Sequence, residues 1–347
     1  MTTGRRLRVA LLAGGRSSEH DISLASARSV LEALDPARYD VVGIAIGRDG
    51  RWALSPVSDT ELPVSDTASP AETLPVPAAG GTLAALGAVD VVLPILHGPF
   101  GEDGTVQGLL ELADVPYVGA GVAASALAMD KDLFKKVLRD SGIPVARHHT
   151  IRLGDPVDNP LGYPAFVKPA RLGSSVGISK VHDELELEAA VALARRHDEK
   201  VLVEELVAGM EVECGVLGNR NPPPIASLPG RIDTLEHEWY DYASKYDEGG
   251  MELIIPPELP QKTIELVQQR AVDAFVASEC EGMARVDFFV RDDGEVVVNE
   301  LNTIPGFTAT SVYAKLFQAS GIEYAELLDR LVALALERHE RRSHLEF

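Results

Sequence analysis

Apolar residues in this chain fall into short continuous runs closed by glycine or polar clusters, alternating with longer stretches in which apolar positions recur every three or four residues. The short runs read as buried strands and the longer stretches as amphipathic helices. Residues 9–13, closed by Gly14-Gly15 and followed by a helical stretch over 22–34, predict strand, glycine turn and helix, an α/β opening with function at the ligand end of the strand. Strands are expected at 41–46, 89–95 and 115–118, with a helix over 105–113. Met129-Asp130-Lys131 opens a helix that ends at Ser141-Gly142. Strands at 164–169, 178–181 and 201–207 surround a helix over 183–196; a strand at 212–218, a helix over 261–279 and an amphipathic helix over 323–340 follow. Segment 57–81, rich in Pro, Ser, Thr and Ala, is a surface excursion, and the polar, aromatic segment 228–246 is an excursion suited to closing over a site. Boundaries near Gly121 and Val207 give three domains, 1–121, 122–207 and 208–347.

The densest chemistry lies in Arg285-Val286-Asp287-Phe288-Phe289-Val290, the turn signal Asp292-Asp293-Gly294, and Glu295 through Asn302. Two strands joined by such a turn form a hairpin. Facing positions then lie about 5 Å apart, so Asp287 stands near Glu300 and Asn302, which share one face of their strand. Three oxygen ligands flanked by Val and Phe are costly to bury without a cation, and they suit Mg²⁺ held together with substrate phosphates. Phosphate handling needs another device, because no G-x-x-x-x-G-K-[ST] motif occurs. Lys168 at a strand end, the Gly-Ser loop over 170–177 with its backbone N–H groups, and Lys131 supply one.

Composition narrows the class. The 347 residues suffice for two or three domains, and a hydrophobic share of 46% with 24% charged residues is ordinary for a globular protein. A formal charge of −21 argues against a nucleic-acid partner. No apolar run approaches the length of about 20 residues that spans a membrane. Cys214 and Cys280 lack disulfide or metal spacing and fit a reducing cytoplasm. Gly119-Ala120-Gly121 has half of a dinucleotide fingerprint but no acidic partner at the right distance, so NAD binding is rejected.

Arg285-x-Asp287, Asn299-Glu300-Leu301-Asn302-Thr303-x-Pro305-Gly306-Phe307-Thr308 and Ser311 resemble the carboxy-terminal signature of the D-alanine:D-alanine ligases, and the resemblance extends over nearly the whole chain except 57–81. It implies a three-domain ATP-grasp fold, with an N-terminal Rossmann-like parallel sheet and two α+β domains that clamp ATP. By resemblance, Asp287, Glu300 and Asn302 hold two Mg²⁺ or Mn²⁺ ions. Lys131, Lys168, Ser174, Ser175 and Lys245 meet phosphates, Leu206 and Val207 meet adenine through their backbone, Glu204 or Glu205 lies near the adenine amino group, and Glu211 takes the ribose. A monovalent cation is a further option. Glu19 matches the glutamate that holds the ammonium of the first D-alanine, His97 in Leu96-His97-Gly98-x-x-Gly101-Glu102-Asp103-Gly104 lines the same pocket, and Ser311 with the Val312 amide holds the second D-alanine. Tyr240-Asp241-Tyr242-x-x-Lys245-Tyr246 matches the mobile loop, with Tyr246 reaching Ser174 and Glu19. Arg231 and Ala314 depart from the family pattern, where an acidic residue and a proline are frequent.

The implied reaction phosphorylates the carboxylate of one D-alanine and lets the amine of a second attack the acyl phosphate, with Arg285 and the Gly306 N–H stabilising the oxyanion. The base for the second amine is not evident in the sequence. Two alternatives are a D-alanine:D-lactate ligase, which Lys245-Tyr246 disfavours, and a non-catalytic ATP-binding regulator, which the presence of Asp287, Glu300, Asn302 and Arg285 disfavours. The resemblance also implies a homodimer.

Overall fold

The structure is a computed structural model that describes residues 5–56, 73–74, 86–234 and 251–346. Segment 57–81, apart from Thr73–Leu74, and the segment carrying Lys245 and Tyr246 lie outside the described residues.

Strand β1 (Leu7–Gly14) is buried along most of its length because it is central in its sheet, running parallel to β2 (Tyr39–Ile46) on one side and β5 (Val91–Ile95) on the other. Helix α1 (His20–Ala33) returns from β1 and packs on one face through Leu24, Ala27 and Val30. The parallel core matches the expectation. The sheet is nevertheless mixed, because β3 (Trp52–Pro56) and β4 (Thr73–Leu74) extend the edge antiparallel to β2, giving the order β4-β3-β2-β1-β5.

The expected strand over 115–118 is only a single parallel bridge between Tyr117 and Val92. Pro116 has no N–H to extend the ladder, and Gly119, at φ 96°, turns the chain away. Gly119 then packs on Gly282, where a side-chain carbon would fall 3.1 Å from the Gly119 nitrogen. Gly119 thus serves a close backbone approach. Helix α2 (Thr105–Leu112) covers the other face of the first sheet. Helix α3 (Val122–Met129) follows and was not expected; its alanine-rich sequence buries Ala124 and Ala128 but carries little polar contrast to reveal a period.

Helix α4 (Lys131–Asp140) is N-capped by the Asp130 side chain, which accepts from the Leu133 N–H at 3.1 Å. It leads to a second, antiparallel sheet of β6 (His148–Ile151), β7 (Ala165–Pro169), β8 (Ser179–Val181) and β9 (Val201–Glu205), in the order β6-β9-β7-β8 and backed by α5 (Glu184–Ala194). The third sheet joins β10 (Met210–Gly218), β11 (Ile225–Ala226), β12 (Gly230–Thr234), β13 (Met251–Ile254), β14 (Gly282–Val290) and β15 (Val296–Asn302). Helix α6 (Gln261–Ala277) packs on its inner face through Val267, Ala271, Ala274 and Phe275.

Helices α7 (Val312–Ala319) and α8 (Tyr324–Ser343) return the chain to its beginning. Leu327, Leu328, Leu331 and Val332 share one core with Val9, Leu11, Ala27 and Val30. Arg338 of α8 is buried over the Tyr117 ring, 4.3 Å from its centroid, and donates to the Tyr117 carbonyl at 2.7 Å and to the Gly119 carbonyl.

Candidate active site

The β14–β15 hairpin sets the geometry. Asp287 pairs with Glu300 and Arg285 with Asn302, and a register shift follows at Asp287/Phe288. The bulge re-aims the polar ends of the strands while Val286, Phe288 and Val298 stay in the core. Asn302 donates to Asp287 at 3.0 Å. Arg285 makes a two-pronged contact with Asp287, both prongs at 2.7 Å, and lies 3.0 Å from Glu213. Glu300 is 3.3 Å from the Lys131 ammonium, whose nitrogen also donates to the Leu172 carbonyl at 2.9 Å.

A cavity of about 530 Å³ opens between the second and third sheets. Lys131, Lys168, Ser174, Ser175, Glu204, Glu205, Leu206, Val207, Glu211, Asp287 and Glu300 all line it, as does Arg231, which lies 2.7 Å from Asp233. Ser174 and Ser175 both take left-handed backbone angles, φ 53° and 56°, a conformation costly for residues with a side chain and common where a loop is shaped for a ligand. Alternation along β9 separates the two glutamates. Glu205 turns to Arg147, at 2.7 Å from the guanidinium, whereas Glu204 is buried at 2.5 Å from Lys168 and 3.1 Å from Lys135. Burial alone would raise the Glu204 carboxyl, but the two ammonium groups hold it down at about 2.

A second cavity of about 350 Å³ brings together Glu19, His97, Ser174, Arg285, Asn302, Gly306, Ser311 and Val312 from parts of the chain nearly three hundred residues apart. Gly173, Ser174 and Glu300 line both cavities and form their common wall. The first turn is anchored by Ser17, which donates to the His97 carbonyl at 2.7 Å and accepts from the Glu19 N–H at 3.2 Å. Burial pushes the His97 pKa down, so the ring is neutral at neutral pH; Nδ1 donates to the Ile304 carbonyl at 3.0 Å, with Nε2 3.4 Å from Ser26. Ser311 caps α7 at its N-terminus and its Oγ accepts from the Thr308 N–H at 3.0 Å.

Glu102, inside the His97 motif but with no role read for it in the sequence, lines the second cavity. Its carboxyl accepts from the Gly98 N–H at 2.7 Å and the Ile304 N–H at 3.1 Å. Burial, reinforced by the negative charge of Glu19, pushes its pKa up to about 8. Both backbone groups of Ile304 are therefore held by the His97–Glu102 turn, two residues before Gly306.

The oxygen chemistry of Asp287, Glu300 and Asn302 suits a hard divalent ion, although among the described residues no cluster of three or more His, Cys, Asp or Glu is arranged to hold one. Arg285 contacts Asp287 and Lys131 contacts Glu300. Lys245 and Tyr246 belong to neither description, since they lie outside the described residues.

An antiparallel sheet with a glycine-serine loop, facing an acidic hairpin across a nucleotide-sized cavity, defines the ATP-grasp class. The family described as "D-ala D-ala ligase N-terminus" matches residues 8–120 and "D-ala D-ala ligase C-terminus" matches residues 137–333. "D-alanine--D-alanine ligase A" of Mesorhizobium japonicum is 48% identical, covering 97% of this chain and 99% of its own length. "D-alanine--D-alanine ligase" of Streptomyces avermitilis is 47% identical over 96% of this chain and 95% of its own. Among solved structures, the D-alanine-D-alanine ligase from Coxiella burnetii superposes with a TM-score of 0.82 at 38% identity, over 97% of this chain and 96% of that one. The VanG D-Ala:D-Ser ligase from Enterococcus faecalis gives 0.84 at 35% identity, over 95% and 100%. The chain belongs to the D-Ala-D-Ala ligase family.

Proposed function

We propose that this protein joins two D-alanine molecules into D-alanyl-D-alanine with ATP, releasing ADP and phosphate, as a step in making peptidoglycan precursors. The observation that carries this reading is the common wall: an amino-acid-sized cavity with a carboxylate at one end and cationic and N–H donors at the other shares Ser174 and Glu300 with a nucleotide-sized cavity.

Lys131, Lys168 and the Ser174–Ser175 turn hold the phosphates, Glu211 the ribose, and the Leu206–Val207 backbone the adenine. Glu19 takes the ammonium of the first D-alanine and presents its carboxylate to the terminal phosphate across the wall. The carboxylate oxygen attacks phosphorus, ADP leaves, and a D-alanyl phosphate forms. The second D-alanine, its carboxylate on Ser311 and the Val312 N–H at the start of α7, attacks the acyl carbon with its neutral amine. Arg285 and the Gly306 N–H stabilise the resulting oxyanion, each such donor contributing roughly 3 to 4 kcal/mol in comparable sites. Collapse expels phosphate. His97, held neutral, shapes the pocket without adding charge. Asp287, Glu300 and Asn302 would hold two Mg²⁺ or Mn²⁺ ions, which neutralise phosphate charge when bound. Lys245 and Tyr246 are assigned to closing the site by the family pattern alone.

We further assign the parts 1–121, 122–207 and 208–347 as domains, and expect a cytoplasmic homodimer. No helix among the described residues is long and apolar enough to cross a membrane.

The test is phosphate release with Mg²⁺-ATP and D-alanine, in competition with D-serine and D-lactate, with products weighed by mass spectrometry. Release that requires D-alanine, stops on chelation of divalent ions and yields the dipeptide supports the reading. A depsipeptide or a D-Ala-D-Ser product would change the second substrate, and no turnover would leave an ATP-binding regulator.

A further inference from the structure

Behind the nucleotide cavity lies a charged group that the reaction does not use. Lys135 sits on the same face of α4 as Lys131 and is fully buried, at 0% exposure. Its ammonium lies 3.1 Å from Glu204 Oε1, and the opposite oxygen, Oε2, lies 2.5 Å from Lys168. Both side chains are buried, so their contact is an ion pair removed from the protein surface. One carboxylate is thus shared by two lysines, only one of which, Lys168, lines the cavity. A buried lysine is expensive to keep charged, and a well-packed methionine would fill the same space without that cost. The charge therefore calls for a use.

We propose that Lys135 is a positioning residue for nucleotide recognition, fixing the Glu204 carboxylate against the cavity wall and thereby setting both affinity for ATP and preference for a base that carries an amino donor. This rests on the reading of the larger cavity as the nucleotide site. Glu204 stands two positions before Leu206 and three before Val207, whose backbone is assigned to the base, and a carboxylate there accepts from the exocyclic amine of adenine. It repels the carbonyl oxygen that hypoxanthine carries at the same place. Without Lys135, Lys168 is the sole partner of Glu204 in this triad, and the carboxylate swings toward it. The lysine then loses reach to phosphate, and the carboxylate loses its orientation to the base.

The experiment compares steady-state phosphate release by the full-length wild type, Lys135→Met and Lys135→Arg with ATP and with ITP, at saturating D-alanine. Lys135→Met is expected to raise the KM for ATP about tenfold, the scale of one charge-assisted hydrogen bond, and the KM for ITP less. The ATP-over-ITP preference shrinks, kcat at saturating nucleotide and the KM for D-alanine change little, and Lys135→Arg recovers the preference. A merely structural lysine would lower the melting temperature and leave the preference alone; folded variants with the wild-type preference would overturn the proposal.

If Lys135→Met does not fold, the wild type still decides. Burial, against the attraction of Glu204, brings the Lys135 pKa down to about 8, in a setting that also contains Lys168, Glu300 and His148. The ATP-over-ITP preference should fall between about pH 7 and 9 in the wild type and stay level in Lys135→Arg. A level wild-type profile overturns the role of Lys135. Absence of any nucleotide-dependent release in the wild type instead overturns the nucleotide reading on which it rests.

Discussion

Glu102 shows how much a single carboxyl can carry. Its folded-state pKa, about 8, lies above the ordinary carboxylate value, so the folded protein binds the extra proton. Its contribution to stability is full below the ordinary carboxylate range and is lost as pH rises through about 8. Buried neutral His97 gives the opposite slope below its ordinary value, so the clean window is above pH 7. Glu102→Gln is expected to flatten stability against pH in that window, measured by denaturant melts at stepped pH. The substitution also puts an amide N–H against one of two backbone donors, which should cut kcat tenfold or more with little change in the KM for ATP. The sequence made most contact residues legible, because Glu19, Lys168 and Glu300 are polar residues standing at the ends of apolar strands or in glycine turns. It did not show Glu102 at work, since the partner Ile304 lies 202 positions away. Lys135 left a fainter sign, a lysine on the stripe that also carries Phe134 and Leu138.

At the scale of elements, turns carry the site and strands aim it. Gly14 ends β1 with φ 91°, and a side-chain carbon there would fall 2.3 Å from the Ile46 carbonyl oxygen. Gly14→Ala is expected to cost about 2–4 kcal/mol in a denaturant melt, because the strand end must move away from β2. It should also raise the KM for the first D-alanine, since Glu19 hangs from that turn. Strands and amphipathic helices were legible wherever the apolar pattern had a period. The pattern failed at α3, where alanines erase the contrast, and at 115–118, where Pro116 limits the ladder to one bridge. Both Glu204 and Glu205 line the cavity, and which of them meets the lysines was undecidable until the register of β9 set Glu204 beside Lys135 and Lys168.

The whole molecule is closed by its last helix. Arg338 donates to two carbonyls at the end of the first sheet, and removing it leaves both without that donor. Arg338→Met should therefore destabilise the protein by about 2–5 kcal/mol, read as a lower denaturant midpoint. That long-range closure was invisible in the sequence beyond the amphipathic pattern of the helix. The two cavities have a consequence for ligands. Since Gly173, Ser174 and Glu300 line both, a nucleoside fragment in one cavity and an aminoacyl fragment in the other would meet at the same three residues. A single compound joining the two through a tetrahedral anionic linker would pay the entropy of association once, and each half would hold the other at high effective concentration. Inhibition by such a compound should exceed what its halves achieve together as separate molecules.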